Sequence, residues 1–277
     1  MTLTDLFQNL STQLRTLYSD QESESLIIWL FEEYLGKSRT DLLKNISIDQ
    51  VPDKLENAFQ ELMTGKPIQY VIGKAPFYGR EFMVNADVLI PRNETEELVH
   101  LIIQENKNSG LRILDVGTGS GCIPITLALE TKQAEVFSLD ISEKALHVAS
   151  QNASSLGAKV VFQKCDILNE QIPFGNLDII VSNPPYVRVS EMEMMHDNVL
   201  KHEPHLALFV NDEDPLLFYR QIAQKAKQVL NPLGRIYFEI NEALGASVLK
   251  LLTEMGFKNI RIIQDLNGRD RIVSAAV

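Results

Sequence analysis

The sequence predicts an α/β protein in which a doubly wound, mostly parallel sheet with helices on both faces follows a small all-α N-terminal domain. Three observations predict it. From Leu111 onward short apolar runs alternate with helical segments, the pattern of right-handed strand–helix–strand crossovers. One of those runs leads into a glycine-rich turn and then a helix. Residues 1 to about 65 carry helical spacing with no strand pattern.

In the N-terminal stretch, Leu6, Leu10, Leu14 and Leu17 fall at helical intervals between Asp5 and Leu17, with Thr4 or Asp5 as cap. Glu22 to Leu35 carries Leu26, Ile27, Leu30, Phe31 and Tyr34 and stops at Gly36. Thr40 to Asn45 and Pro52 to Met63 read as two further helices, Pro52 suiting a first helical position. Gly65-Lys66-Pro67 breaks the pattern, and Phe77-Tyr78-Gly79-Arg80-Glu81-Phe82 reads as a short hairpin. The expected division is therefore 1–66 as a helical bundle that docks a partner, 67–87 as a linker with the hairpin, and 88–277 as the α/β domain. Within that domain a helix is expected over Glu94–Gln104. Strands are expected at Arg112–Val116, Glu135–Asp140, Lys159–Lys164, Asp178–Ser182 and Gly234–Ile240. Helices are expected at Ile123–Glu130, Ser142–Ser155, Leu216–Leu230 and Ala243–Met255. Two last strands fall near Lys258–Gln264 and Arg271–Ala275.

Composition narrows the function. The chain has 277 residues, with 26 Lys+Arg against 37 Asp+Glu and a net charge of −11. That balance argues against a grip on a long phosphate backbone, so no stable nucleic-acid binding is expected. Two isolated cysteines, Cys122 and Cys165, suit a reduced compartment better than a disulfide scaffold. No apolar run reaches the roughly 20 residues of a membrane span, and the start lacks the basic residues of a signal peptide. A cytoplasmic protein without membrane attachment is expected.

Asn183-Pro184-Pro185-Tyr186 ends the apolar run Leu177–Ser182. Neither proline has a backbone N–H, and each holds the residue before it extended. The turn therefore offers carbonyl oxygens around the Asn183 side chain with few competing donors. It does so at the C-terminal edge of a sheet, where open α/β folds bind ligands. Paired acceptors suit a planar –NH₂ group, and Tyr186 adds an aromatic face for a flat amide or base. The nitrogen of such a group is a poor nucleophile, because its lone pair is delocalised. Holding both hydrogens out of plane localises that pair, which is catalysis by positioning. Taken alone, the tetrapeptide reads first as a strand-ending turn, and the rest of the sequence reverses that.

The glycine-rich turn, Gly117-Thr118-Gly119-Ser120-Gly121, follows the run Ile113–Val116. Its free N–H groups at a helix start favour polar ligand groups. Asp140 ends the next strand, placed to accept hydrogen bonds from a ribose diol. A dinucleotide site would need a third glycine at 122, where this chain has Cys122. The spacing favours a nucleoside cofactor without a pyrophosphate. Asp166 is placed to meet an adenine amine, with Ile167 and Leu168 lining the ring. Asp166 reads equally as a structural carboxylate, and Asp115 as a cap on the loop's own N–H groups. Asp140, Asp166 and Leu168 thus join the glycines as cofactor candidates.

Together the glycine turn, Asp140 and Asn183–Tyr186 resemble an S-adenosylmethionine-dependent methyltransferase of the seven-stranded Rossmann-like class. Further matches are Pro67–Gly73, Phe77–Gly79, Val88–Glu96, His202-Glu203-Pro204 and Gly268–Arg271. With them the chain is similar to the HemK/PrmC family from about residue 65 to its end. The resemblance implies methylation of the glutamine amide nitrogen in the Gly-Gly-Gln motif of class 1 peptide chain release factors. It implies that the glycine loop, Asp140 and Leu168 hold S-adenosylmethionine, and that Asn183 touches both its methionine end and the substrate amide. Asn183, Pro184 and Tyr186 would be catalytic, and Asn183, Pro184, Pro185 and Tyr186 would form the glutamine pocket. Asn93 and Asn241 depart from the family pattern, outside that chemical core.

Two other classes compete. The same tetrapeptide serves in methylation of the exocyclic amine of adenine, against which the acidic charge weighs. A methyltransferase fold used only as a binding module is the third reading, against which the intact glycine turn, Asp140 and Asn183 weigh. His196, Glu203, His202 and His205 read as a solvated loop rather than a metal site, since Pro204 breaks the helix that would align them. The Met192-Met194-Met195 cluster reads as flexible packing or an ordering lid. No metal is expected, and a monomer is.

Overall fold

The computed structural model describes residues 1–44 and 46–277. Two compact units emerge, Met1–Lys74 with His196–His202, and Ala75–Met195 with Glu203–Val277. In the smaller unit the helices are α1 (Leu3–Leu14), α2 (Asp20–Leu35), α3 (Asp53–Leu62) and α4 (Ile68–Ile72). Thr2, not Thr4, caps α1: its hydroxyl accepts from Asp5 N while the Asp5 carboxylate accepts from Thr2 N. Ser19 caps α2, which starts at Asp20, two residues before the expected Glu22. The buried faces of α1, α2 and α3 meet through Leu6, Leu14, Ile27, Phe31, Leu55 and Phe59. The helix expected over Thr40–Asn45 is instead a 3-10 turn, Arg39–Leu43, and Asn45 lies outside the described residues. No apolar face drives a longer helix there, since none of the turn's residues is buried.

The chain then forms β1 (Lys74–Phe77) and β2 (Arg80–Met83). Tyr78 and Gly79 between them both take positive φ, 49° and 72°, as a two-residue primed turn requires. In the larger unit follow α5 (Asn93–Glu105), β3 (Arg112–Val116), α6 (Cys122–Glu130), β4 (Glu135–Asp140), α7 (Glu143–Leu156), β5 (Val160–Lys164) and β6 (Leu177–Ser182). A two-residue ribbon, β7 (Val187–Arg188) with β8 (Phe209–Val210), brackets a 3-10 turn and the short helices α8 (Asp197–His202) and α9 (His205–Leu208). This segment, read from the sequence as loop, is largely helical, and Pro204 stands between the two helices as the N-cap of α9. Last come α10 (Leu217–Val229), β9 (Leu230–Glu239), α11 (Gly245–Glu254), β10 (Lys258–Gln264) and β11 (Asp270–Ala276).

The sheet order is β10-β11-β9-β6-β3-β4-β5. β6, β3, β4 and β5 run parallel, as does β9 beside β6. β11 departs from the parallel pattern, running antiparallel to both β9 and β10. Only residues 265–269 join it to β10, too few for the crossover a parallel pair needs. Alternate residues face opposite layers. Leu114, Ile180 and Phe238 pack with Tyr219 and Ile222 of α10 and Val248 of α11. Ile113, Ile179 and Val181 pack with Leu98 and Val99 of α5 and Ile125 of α6. The chain reverses direction across the sheet between β3 and β6, so the C-terminal ends of these neighbouring strands form the ligand-binding crevice of such folds. Ser182 stands beside Val116 on one side and Phe238 on the other. The residues that follow, Gly117, Asn183 and Glu239, are therefore neighbours.

Candidate active site

The glycine turn lies against the end of β4. Gly117 N and Thr118 N both donate to the Leu139 carbonyl, at 2.8 and 3.2 Å. Asp140 sits one residue on, where its Oδ2 accepts from Gly119 N at 3.0 Å and its Oδ1 from Ser142 N at 2.9 Å. Each oxygen keeps a second lone pair for a ligand. Burial pushes the Asp140 carboxyl up from its ordinary value, and these backbone donors oppose that. Gly121 is glycine for space as well as for its φ of +83°: a Cβ there would stand 2.8 Å from Ile125 Cδ1 and 3.0 Å from Ala149 Cβ.

Asn183 leaves β6 with its side chain held from one side. Its Nδ2 donates to Thr95 Oγ1 at 3.2 Å, and Thr95 Oγ1 donates to Glu239 Oε2 at 2.7 Å. The Tyr186 hydroxyl donates to the other oxygen, Glu239 Oε1, at 3.1 Å. Glu239 is 1% exposed, and burial raises its carboxyl pKa. The Tyr186 phenol is raised well above its ordinary range, chiefly by burial and then by the Glu239 charge.

A cavity of about 250 Å³ runs between these elements. Gly117, Thr118, Gly119, Ser120, Asp140, Asp166, Leu168, Asn183, Pro184 and Pro185 all line it. Gly121 and Tyr186 do not: Gly121 turns toward α7, and the Tyr186 hydroxyl is spent on Glu239. The aromatic rest that the sequence suggested at Tyr186 is therefore not part of the cavity wall. Asp166 bonds within its own turn, accepting from Leu168 N at 2.9 Å and Asn169 Nδ2 at 2.7 Å. Its pKa is lowered, first by the Asn169 hydrogen bond. Lys225, buried in α10, donates to the carbonyls of Ile167 and of Glu170, the latter at 2.6 Å, and so pins the same turn.

Sequence reasoning missed Thr95, Glu239 and the Arg92–Glu203 pair. Thr95 and Arg92 stand in a stretch that reads as a solvated helix start, yet Thr95 is buried and both line the cavity. Glu203, expected in a solvated loop, is buried and takes Arg92 Nη2 at 2.6 Å and Ile90 N at 3.3 Å. The sequence marked both stretches as family matches, Val88–Glu96 and His202-Glu203-Pro204, but not that they pair. Asn241, a departure from the family pattern, caps the turn after β9 by accepting from Ala243 N at 3.0 Å. Asn93 opens α5. Burial pushes the Cys122 thiol up to about 12, which leaves it no nucleophile.

The cavity fits a nucleoside carrying an amino-acid tail. Asp140 offers acceptors for a diol, while Ile141, Ile167, Leu168 and Phe218 supply apolar walls for a flat ring. Thr118 and Ser120 line it too, buried, their hydroxyls beside Asp115 and Cys122. Among the described residues no helix is long and apolar enough to cross a membrane.

Comparison with known proteins agrees with this geometry. The family described as "Methyltransferase domain" matches residues 107–262, and "PrmC N-terminal domain" matches residues 5–73. A release factor glutamine methyltransferase of Flavobacterium psychrophilum is 43% identical over 97% of this chain and 98% of its own. Its namesake in Bacteroides thetaiotaomicron is 44% identical over 95% of each chain, and that of Streptococcus pneumoniae 39% identical over 99% of this chain and 98% of its own. A crystal structure of a methyltransferase from Pyrococcus furiosus shares the fold, with a TM-score of 0.53 at 16% identity over 80% of this chain and 98% of that one. From the sheet order, the cavity at its switch point and these relatives together, this chain belongs to the release factor glutamine methyltransferase family.

Proposed function

We propose that this chain transfers the methyl group of S-adenosylmethionine to the side-chain amide nitrogen of the glutamine in the Gly-Gly-Gln motif of class 1 release factors. Its relatives' shared name supports the acceptor. The observation that carries the chemistry is the hydrogen bond from Asn183 Nδ2 to Thr95, which leaves Asn183 Oδ1 as the group turned to other partners. When bound, S-adenosylmethionine supplies a methyl carbon already activated by a sulfonium. Gly117 to Ser120, Asp140 and Leu168 would hold it, with Asp140 on the ribose.

The remaining work falls to Asn183 and the proline turn. Asn183 Oδ1 and a carbonyl of the Asn183-Pro184-Pro185 segment would accept the two hydrogens of the substrate amide and so orient its nitrogen. The nitrogen turns acidic only as the methyl arrives, so its proton passes to water and no base residue is needed. Among the described residues the cavity is lined by no histidine, and its carboxylates are Asp87, Asp140 and Asp166.

The proposal includes action as a monomer in the cytoplasm. The test is mass spectrometry of a release factor after incubation with this protein and S-adenosylmethionine, with a DNA duplex in a parallel reaction. One added methyl on the Gly-Gly-Gln glutamine is expected. Methylated adenine with an unmodified release factor would overturn the reading.

A further inference from the structure

Asn183 is an amide, and an amide works as a paired acceptor only if its oxygen, not its nitrogen, faces the substrate. The two ends are nearly the same size, so packing alone does not distinguish them. Hydrogen-bond polarity does. The atom that faces Asn183 from α5 is a threonine hydroxyl, which can donate one proton and accept at two lone pairs. Left to itself, Thr95 could donate to Asn183 Oδ1 and turn the NH₂ end toward the substrate, where it would repel the very hydrogens it must hold.

Glu239 removes that choice. The Thr95 and Tyr186 hydroxyls and the nearby Arg271 charge hold Glu239 as a carboxylate against its burial, and a carboxylate only accepts. Its Oε2 takes the Thr95 proton at 2.7 Å, the shortest contact in the chain of three. The Thr95 oxygen then has only lone pairs to show, so the group facing it must be Asn183 Nδ2–H. The other oxygen, Oε1, takes the Tyr186 proton at 3.1 Å, which fixes the far end of the Asn-Pro-Pro-Tyr turn to the same anchor. Glu239 is buried and absent from the cavity wall, so it touches neither cofactor nor substrate. Its carboxylate has its hydrogen bonds from two neutral hydroxyls, each of which it forces to point inward.

The geometry points to Glu239 as a positioning residue that sets the direction of the Asn183 amide through Thr95, so that Oδ1 meets the substrate –NH₂. This rests on the methyl-transfer reading above for its consequence, not for the direction of the hydrogen bonds. The relay is built from residues 88 and 144 positions apart in the chain, and each component is replaceable without enlarging a side chain.

The test uses Thr95→Val, Thr95→Ser and Glu239→Leu in the full-length protein. Each is read by calorimetry with S-adenosylhomocysteine, by steady-state kinetics on a release factor, and by the ¹H–¹⁵N signals of the Asn183 side chain. Thr95→Val keeps shape and removes the acceptor, and Glu239→Leu frees the Thr95 proton. Both are expected to bind the nucleoside with unchanged affinity and to lose about a hundredfold in kcat, the scale for one misdirected transition-state contact. Their Asn183 NH₂ signals are expected to move. Thr95→Ser keeps the hydroxyl and should resemble wild type in both. A Thr95→Val protein that binds the nucleoside, methylates within roughly threefold of wild type and leaves the Asn183 signals in place overturns the proposal. If wild type leaves the release factor unmethylated while the Asn183 signals still move in the variants, the functional reading fails and the positioning role stands.

Discussion

Asn152, on α7, makes three hydrogen bonds from one buried side chain. Its Oδ1 accepts from Met83 N at 2.7 Å, and its Nδ2 donates to Met83 O at 2.9 Å and to Ser120 O at 2.8 Å. It thereby closes the edge of β2 as a neighbouring strand would, and holds the glycine turn by a carbonyl. Asn152→Ala strands one N–H and two carbonyls. At about 1 kcal/mol of net stability per neutral hydrogen bond, the expected loss is about 3 kcal/mol. For a chain of this size that corresponds to a fall in Tm of roughly 6–12 °C. Asn152→Asp keeps the acceptor for Met83 N but sets a carboxylate oxygen against the carbonyls of Met83 and Ser120, so it should be at least as damaging. Urea denaturation and thermal melts measure both. Nucleoside affinity, followed by calorimetry, should weaken in each, because the Ser120 carbonyl is no longer held. If Asn152→Ala lost less than about 1 kcal/mol, these three bonds would not be supporting the turn and the reasoning would fail.

Asn183→Ala should leave nucleoside affinity intact while kcat on the release factor drops by about 10²–10³, since the lost contact matters only when the amide is held for attack. Gly121→Ala forces a Cβ against Ile125 and Ala149 at a φ of +83°; overpacking and left-handed strain together should cost roughly 2–5 kcal/mol, read by denaturation. Asp115 is buried, its Oδ2 accepting from Ser138 at 2.7 Å, and burial raises its carboxyl to about 7. A carboxyl whose folded pKa exceeds its unfolded one favours folding fully below about pH 4, and that contribution is lost as pH rises through about 7. Melts of wild type and Asp115→Asn between these limits should differ in slope, with wild type losing about 4 kcal/mol more. Parallel curves would refute the assignment.

The centre of the sheet was legible because β3 and β6 are buried along nearly their whole length. Leu177–Ser182 and Arg112–Val116 read as apolar runs wherever they are met. The glycine turn was legible for a local reason too, since three glycines in five residues have few other uses. The direction of β11 was not, because alternation with helices argues for parallel strands and is silent on the two strands that no helix separates. Nor were Thr95 and Glu239. A threonine in a charged helix start and a glutamate at a strand end carry no local mark of burial. Their meaning arises only when three strand ends and α5 converge, across separations of 88 and 144 residues. Glu203 was misread for the same reason: its partners, Ile90 and Arg92, lie 113 and 111 residues away.

β11 comes after every other strand in sequence yet lies between β9 and β10. Before residues 270–276 are synthesised, β9 presents an unpaired edge, and β10 has nothing on the sheet to bind. Translation at roughly 5–20 residues per second therefore leaves an incomplete sheet until this segment emerges from the ribosome. β10 reaches the sheet only through β11, so the Asp265–Arg269 turn that joins them closes this edge of the sheet.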